Sequence, residues 1–368
     1  MSRGKFKYSL RFSASTGSLT AFLLLCVLIH LFSRSASWVE KLYATGVYPH
    51  IGRALRCVFG RMPFSAGDIF YTVFGAWILF RLVRFFVWLF KKKITKQYLR
   101  KSMYTLVCTM AVVYILFNIL WGLNYNRQGI AQQLQLNVSK KYSTQTLDSL
   151  TKALIAKVNA NRRALGKNVD YPNDETLYNE AAQAYDSIAK KYSFLRYRTQ
   201  SIKTPVYNAL GAYLGYSGYY NPFTGEAQVN TVLPKFVLPY VACHEMAHQL
   251  GYATEDEANF TGYLAASSSG DALFKYSVYL DLYEYANFEL WRRDSALAKN
   301  NYRMLDTLVK ADLHELHTYL KAHENPAGTF VMKLYNQYLK TNKQPQGINT
   351  YNAVTAWLIA YERKYGEL

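Results

Sequence analysis

A chain of 368 residues that is 51% hydrophobic and 16% aromatic, with 33 tyrosines, is more apolar than an ordinary soluble enzyme. Its 43 Lys and Arg against 24 Asp and Glu leave a net charge of +19. The basic residues gather beside apolar stretches and form no basic-aromatic array, which excludes a nucleic-acid reader and makes the charge partly topogenic. The four cysteines, Cys26, Cys57, Cys108 and Cys243, make no CxxC pair, which excludes a disulfide framework and a thiolate metal site.

Residues 12–33 hold no charge, residues 69–90 hold only Arg81 and Arg84, and residues 102–126 are again uncharged. Each stretch reaches the ~20 residues that a helix needs to cross the hydrocarbon core. Three transmembrane helices are therefore expected, at about 14–33, 69–90 and 103–124. Arg3, Lys5, Lys7 and Arg11 resemble the start of a signal peptide. Ser35, Ala36 and Ser37 make a weak cleavage site, however, and two more spans follow, so an uncleaved anchor is expected. Arg84 can snorkel toward an interface. Arg81, nearer the middle, is expected to face a neighbouring helix. The basic N-terminus and the link KKKITKQYLRKS contain no acidic residue and belong on the cytoplasmic side. Residues 34–68, and everything past about 126, then lie outside.

No stretch after residue 126 is long and apolar enough to span. Residues 1–126 are read as a membrane domain and residues 127–368 as one extracytoplasmic domain. TLDSLTKALIAKVNANRRAL and DETLYNEAAQAYDSIAKKY carry mixed helical patterning. Leu147, Leu150, Leu154 and Val158 make one core face, and Leu177, Ala181, Ala184 and Ile188 make the other. Residues 207–234, rich in Gly, Tyr, Asn and Pro, show no helical period. Strands and turns are expected there, with a turn at Thr224 and Gly225 and a strand at 228–232. EAQVNTV is placed as a sheet edge, able to take up an extended substrate as an added strand. From Glu257 to about residue 365 helices return, broken near Gly270, Asn300, Pro326 and Pro345.

Between these regions lies CHEMAHQLGYATEDEANF, residues 243–260. Pro239 suits the first turn of a helix and Gly251 a left-handed cap at its end. His244 and His248, four apart, share one face and can bind one Zn2+ at about 2.0–2.1 Å each. Glu245, one step round, can face the attacking water without ligating the metal and serve as general base. The third ligand has several candidates: Glu255, Asp256, Glu257 and, as an amide, Asn259. Thr254 and Glu257 read as a capping box, which gives Glu257 a structural task. Glu255 shares a face with Asn259, four residues on, as a supported ligand would. Glu255 is therefore the expected ligand, with Glu257 as the alternative. His314, His317 and His323 in DLHELHTYLKAHE have the wrong spacing and are read as a solvated face, and neither His30 nor His50 is given a role. Tyr216, Tyr219 and Tyr220 are expected to pack the core or a substrate pocket, though a phenol there could stabilise an oxyanion.

MPFSAGDIFY, WGLNYNRQG and YNPFTGEAQVN…LPYVACHEMAHQLGYATEDEANF together resemble an uncharacterised bacterial membrane family, catalogued as domain of unknown function 3810. The resemblance covers most of the chain. It implies three membrane spans followed by an extracytoplasmic domain with HExxH, and no substrate. EDEANF is also similar to the E-x-x-A-D and E-x-x-A-N segments that follow HExxH in membrane-bound CAAX-type, heat-shock-type and antirepressor-cleaving gluzincin peptidases. There the first glutamate ligates zinc, which carries over to Glu255, with Asn259 in the supporting place. Only six residues separate His248 from Glu255, fewer than in most of those families. The second helix must then fold back after a tight turn at 251–254.

The resulting expectation is a multi-pass protein of the bacterial cytoplasmic membrane, N-terminus inside. Three N-terminal transmembrane α-helices precede a helix-rich α+β zincin-like domain with a small sheet. Its expected activity is that of a zinc metallopeptidase acting on envelope or secreted proteins. Its partners are a peptide or protein substrate and the lipid bilayer, with no nucleic acid, and its oligomeric state is open. A non-catalytic envelope scaffold retaining the fold, or an amidase acting on a cell-wall amide, would share the same site.

Overall fold

The computed structural model describes residues 16–139, 141–347 and 353–368. Its first apolar helix, α1 (Thr16–Ser33), is followed by a sharp turn. Ser35 then caps α2 (Ala36–Trp38), which runs on through a π-helical stretch, Val39–Val47, into α3 (Tyr48–Phe59). The segments Gly17–Ser33 and Ala36–Phe59 meet at 95°. Next come α4 (Ala66–Phe90) and α5 (Lys96–Leu120), each opened by a hydroxyl cap, Ser65 on the Asp68 N–H and Thr95 on the Tyr98 N–H. Among the described residues these two helices are long and apolar enough to cross a membrane. The bent pair raises the number to three if it forms one span.

The candidate spans are unequally packed. α5 lies against α1 and buries Ala111, Ile115 and Asn118. The apolar stretch of α4 buries nothing. Arg81 consequently does not meet a neighbouring span, as its mid-membrane position led one to expect. It lies over Trp77 on its own helix, 5.8 Å from the ring centroid, as Arg84 lies 4.7 Å from Trp88.

A 3-10 turn (Gly122–Asn126) leads into α6 (Gly129–Gln133), α7 (Thr144–Ala164) and α8 (Asp174–Ala189). The small sheet follows with β1 (Ile202–Lys203), α9 (Asn208–Leu214), β2 (Gly218–Asn221) and β3 (Glu226–Val229). The remainder is helical: α10 (Leu238–Gln249), α11 (Glu255–Ser267), α12 (Ala272–Arg293), α13 (Ser295–Arg303), α14 (Thr307–His323), α15 (Pro326–Thr341) and α16 (Val354–Tyr365). The main core forms where α7, α8, α10, α11, α12 and α16 meet. The two periodic faces are inside it. Leu147, Leu150, Leu154, Val158, Leu177, Ala181, Ala184 and Ile188 are all buried.

Three expectations for residues 207–234 are corrected. α9 is a helix that the composition hid, because its Leu210 and Tyr213 face outward and leave no buried period. β3 runs Glu226–Val229 rather than 228–232. It ends where the Asn230 side chain accepts the Val232 N–H at 3.2 Å and turns the chain away. Finally, the strand order is β1-β3-β2, so EAQVNTV supplies the central strand and β2 is an edge. β3 pairs parallel with β1 and antiparallel with β2, across the expected turn at Thr224 and Gly225.

The sheet is fastened to the N-terminal end of α4. The buried Glu226 carboxylate accepts the Ala66 and Gly67 N–H groups at 3.1 and 2.7 Å, at the positive end of that helix. Thr224 Oγ1 and Lys203 Nζ, each at 2.8 Å, complete its partners. Removing any of these donors would leave a buried carboxylate underpaired.

Candidate metal centre

α10 starts with Pro239 in its first turn, where a missing N–H costs nothing. It passes beneath β2 and β3 and against α11, and every residue from Leu238 to Gln249 except Val241 is buried. Polar side chains on a helix buried all round need partners. Those of His244, Glu245 and His248 face a cavity of about 750 Å3.

The helix ends in a Schellman arrangement. Gly251, at φ +88°, lets its N–H reach the His248 carbonyl at 2.9 Å, while the Tyr252 N–H reaches Ala247 at 3.2 Å. Four residues later α11 begins and sets Glu255 opposite the histidines. Glu255 Oε2 lies 3.3 Å from His244 Nε2 and 3.7 Å from His248 Nε2. One donor atom from each of the three residues falls within 4.8 Å of the others, and no other such cluster occurs among the described residues. A tetrahedral ion with bonds of about 2.0–2.2 Å holds its ligands roughly 3.3–3.6 Å apart, close to the two distances from Glu255. The donor set also fits zinc, with two imidazole nitrogens and one carboxylate oxygen.

The surroundings orient each donor. His248 Nδ1 lies 2.8 Å from the Tyr252 carbonyl, so in the neutral ring this nitrogen would carry the proton and leave Nε2 as the donor for an ion. Glu255 Oε1 accepts the Tyr335 hydroxyl from α15, and the Glu255 N–H donates to Gln344 Oε1 at 3.0 Å. Its Oε2 is buried and has no hydrogen-bond partner. Burial alone would raise the Glu255 carboxyl, but the two imidazoles hold it well below the usual carboxylate range. Burial likewise works against a charged His248, and Glu255 outweighs it, raising that imidazole to about 9.

Glu245 behaves differently. Burial pushes its carboxyl up to about 7 against the pull of His244 and His248. Its Oε2 is buried without a partner. β2 passes so close that a Cβ at Gly218 would stand 2.5 Å from Glu245 Oε1 and 2.7 Å from the Gln228 carbonyl, so only glycine fits there.

The other acids take different places. Glu257 turns away and accepts the Ile130 N–H at 3.0 Å, and burial, opposed by Arg127, raises it to about 7. Thr254 is the N-cap of α11, yet its side chain accepts no helix N–H, so the expected capping box does not form. Asn259 does not support Glu255 either. Its Nδ2 is buried without a partner, and Tyr335 has the supporting task. His317 pairs with Glu284 at 2.9 Å, His323 Nδ1 meets the Tyr319 carbonyl, and neither lines the cavity.

Tyr216, Tyr219 and Tyr220 do line it. Tyr219 donates to Asp68, and burial with that acid keeps its phenol protonated. Tyr220 packs on Trp121 at 5.1 Å, with its hydroxyl 3.4 Å from that of Tyr48.

Sequence reasoning missed the contribution of residues before 130. Asp68, Tyr71 and Thr72 of α4, with Trp121 and Tyr125 after α5, form one wall of the cavity. Four side chains also satisfy the last carbonyls of the histidine helix. Trp121 Nε1 donates to His248 O at 3.2 Å, Tyr48 and Arg56 donate to Gln249 O at 3.0 and 2.9 Å, and Arg127 donates to Gly251 O at 3.1 Å. Two cations at a helix C-terminus also oppose its dipole. Glu40 holds Arg127 through two hydrogen bonds, at 2.7 and 3.0 Å. The available signal was the polar content of GDIFY and WGLNYNR, which membrane insertion alone does not require.

A family model described as "Protein of unknown function (DUF3810)" matches residues 43–359. No curated protein and no solved structure matches the chain.

Proposed function

The chain belongs to the DUF3810 family of proteins of unknown function, and we propose that it is a membrane-anchored zinc metallopeptidase. On this reading three spans hold residues 127–368 outside the cytoplasm of a bacterial cell, N-terminus inside, with a zincin-like site of gluzincin type. The observation that carries the proposal is the convergence of His244 Nε2, His248 Nε2 and Glu255 Oε2 around one point beside the unpaired Glu245 carboxylate. Two imidazoles and a carboxylate are a usual catalytic zinc set, leaving one position open.

Zinc bound there supplies a Lewis acid, which polarises a carbonyl and makes a water easier to deprotonate. The protein's own groups do the rest. Glu245, raised to about 7, accepts the proton of the attacking water and delivers it to the leaving amine. The Tyr252 carbonyl holds His248 in one tautomer, and Tyr335 holds Glu255 in one rotamer. β2, the edge strand along the cavity, offers its free backbone edge to an extended peptide.

The test is metal content and turnover of the purified full-length chain. One zinc per chain, lost in His248→Ala and kept without turnover in Glu245→Gln, is the expected result. A wild-type chain that binds no zinc overturns the proposal.

A further inference from the structure

The cavity lies beside the N-terminal end of α4 and the residues that follow α5. Thr72 is six residues into α4, about 9 Å along it at ~1.5 Å per residue. Trp121 is the first residue after α5. The segment Ala36–Phe59 lies at 95° to Gly17–Ser33, and so along the surface if the latter crosses. Its Tyr48 and Arg56 hold the end of the histidine helix, while Trp38 and Leu42 on other faces are 61% and 54% exposed.

On one side this site continues into an uncovered apolar surface. α4 buries no residue of its apolar stretch, and Val73 and Leu79 are 64% and 62% exposed. The surface passes onto the rim of the cavity. The Tyr207 hydroxyl meets Thr72 Oγ1 at 2.7 Å, and Asn325 Nδ2 of the loop opening α15 donates to the Tyr213 carbonyl at 2.6 Å. The two rim helices turn Leu210, Phe330 and Leu334 outward. Inside, the charged groups of the wall are acids and the two histidines; among the described residues no Lys or Arg lines it. Nothing there would clamp a free C-terminal carboxylate, so an internal, uncharged stretch of chain suits the wall better.

Resting on the peptidase reading, we propose that the substrates are polypeptides anchored in the same bilayer by an apolar helix. That helix lies along the uncovered face of α4, and the chain is cut in the first extended residues outside the membrane. A single helix beside α4 would leave the bilayer near Tyr71 and Thr72, exposed residues that also line the cavity. The bond broken is an ordinary peptide bond, with water as co-reactant, giving a carboxylate and an amine.

The experiment uses the full-length chain in nanodiscs of phosphatidylethanolamine and phosphatidylglycerol. The probe is a reporter with one ~20-residue apolar helix, a polar linker and a soluble tag. In Glu245→Gln, a photo-crosslinking benzoylphenylalanine at Val73 should form an adduct with the reporter's helix. An adduct with a second copy of the chain, or with lipid alone, overturns the proposal. In the zinc-loaded wild type, cleavage should fall within about ten linker residues of the anchor and run at least roughly tenfold faster than on the free linker, as tethering raises effective concentration. Equal rates with and without the anchor overturn the proposal. Gly75→Trp on α4, where nothing lies within 4 Å of an added Cβ, should weaken the adduct and slow cleavage of the anchored reporter, with the free linker changed less than about twofold. Adduct formation without any cleavage in the wild type sustains the docking and overturns the peptidase reading instead.

Discussion

Tyr335→Phe removes one hydroxyl and leaves the ring in place. The lost bond is the one to Glu255 Oε1. Glu255 is 4% exposed, so water does not readily replace the donor, and its other oxygen faces only the histidines. A hydrogen bond to a buried charge contributes about 1.5–3 kcal/mol. Only the part that differs between the metal-free and metal-bound states appears in binding, so at about 1.4 kcal/mol per decade the loss in zinc affinity is at most roughly 150-fold. The loss typical of a partner that orients a metal ligand, about 10- to 100-fold, falls in the same range. A chelator-competition titration on the full-length chain reads this directly. Thermal unfolding of the metal-free protein serves as the control, because the hydroxyl acts on the centre more than on the core. Zinc affinity within twofold of wild type would refute the assignment of Tyr335 as the support of Glu255. A loss of affinity accompanied by general unfolding would show that Tyr335 holds the fold instead.

Other outcomes follow from the same geometry. Glu245→Gln should keep zinc and lose about 10²–10⁴ in kcat; unchanged kcat would exclude it as the base. Glu245 must be ionised to accept a proton, so kcat/KM should rise with pH through a midpoint at or below about 7, because a bound dication lowers its pKa further; a rate that falls over that range contradicts the role. Glu257→Gln should stabilise the metal-free protein at high pH. Its folded value of about 7 lies above the ordinary 4.5, so the folded state binds more protons between them. Ionisation then costs stability that grows from pH 4.5 to 7, toward about 3 kcal/mol. Melting curves at pH 5 and 8 should show the gain at pH 8 alone. Fusing a reporter that works only in the cytoplasm to Leu368 should give an inactive fusion; an active one reverses the proposed topology.

Much of this protein is written in short-range pattern. The i and i+4 spacing puts His244 and His248 on one face whatever surrounds them, because 3.6 residues make a turn. The same period identified the buried leucines of α7 and the alanine face of α8, and uninterrupted apolar length identified the candidate spans. Short-range pattern also misled. Thr254 and Glu257 have the spacing of a capping box, but the Ile130 amide, 127 residues away in sequence, takes the Glu257 carboxylate instead. EAQVNTV is expected as a sheet edge, yet β1 and β2 flank it on both sides. Which glutamate faces the histidines was decided by the tight turn after Gly251 and by Tyr335 and Gln344, not by the motif. The wall built by Asp68 and Trp121 exists only because the N-terminal end of α4 and the C-terminal end of α5 fold against the sheet and the histidine helix. Periodicity and capping act over one or two turns of chain, so sequence alone determined the long apolar and amphipathic helices, though not α9 or the bounds of β3. Hydrogen bonds between groups a hundred residues apart depend on packing, so only the tertiary structure decided what those elements enclose.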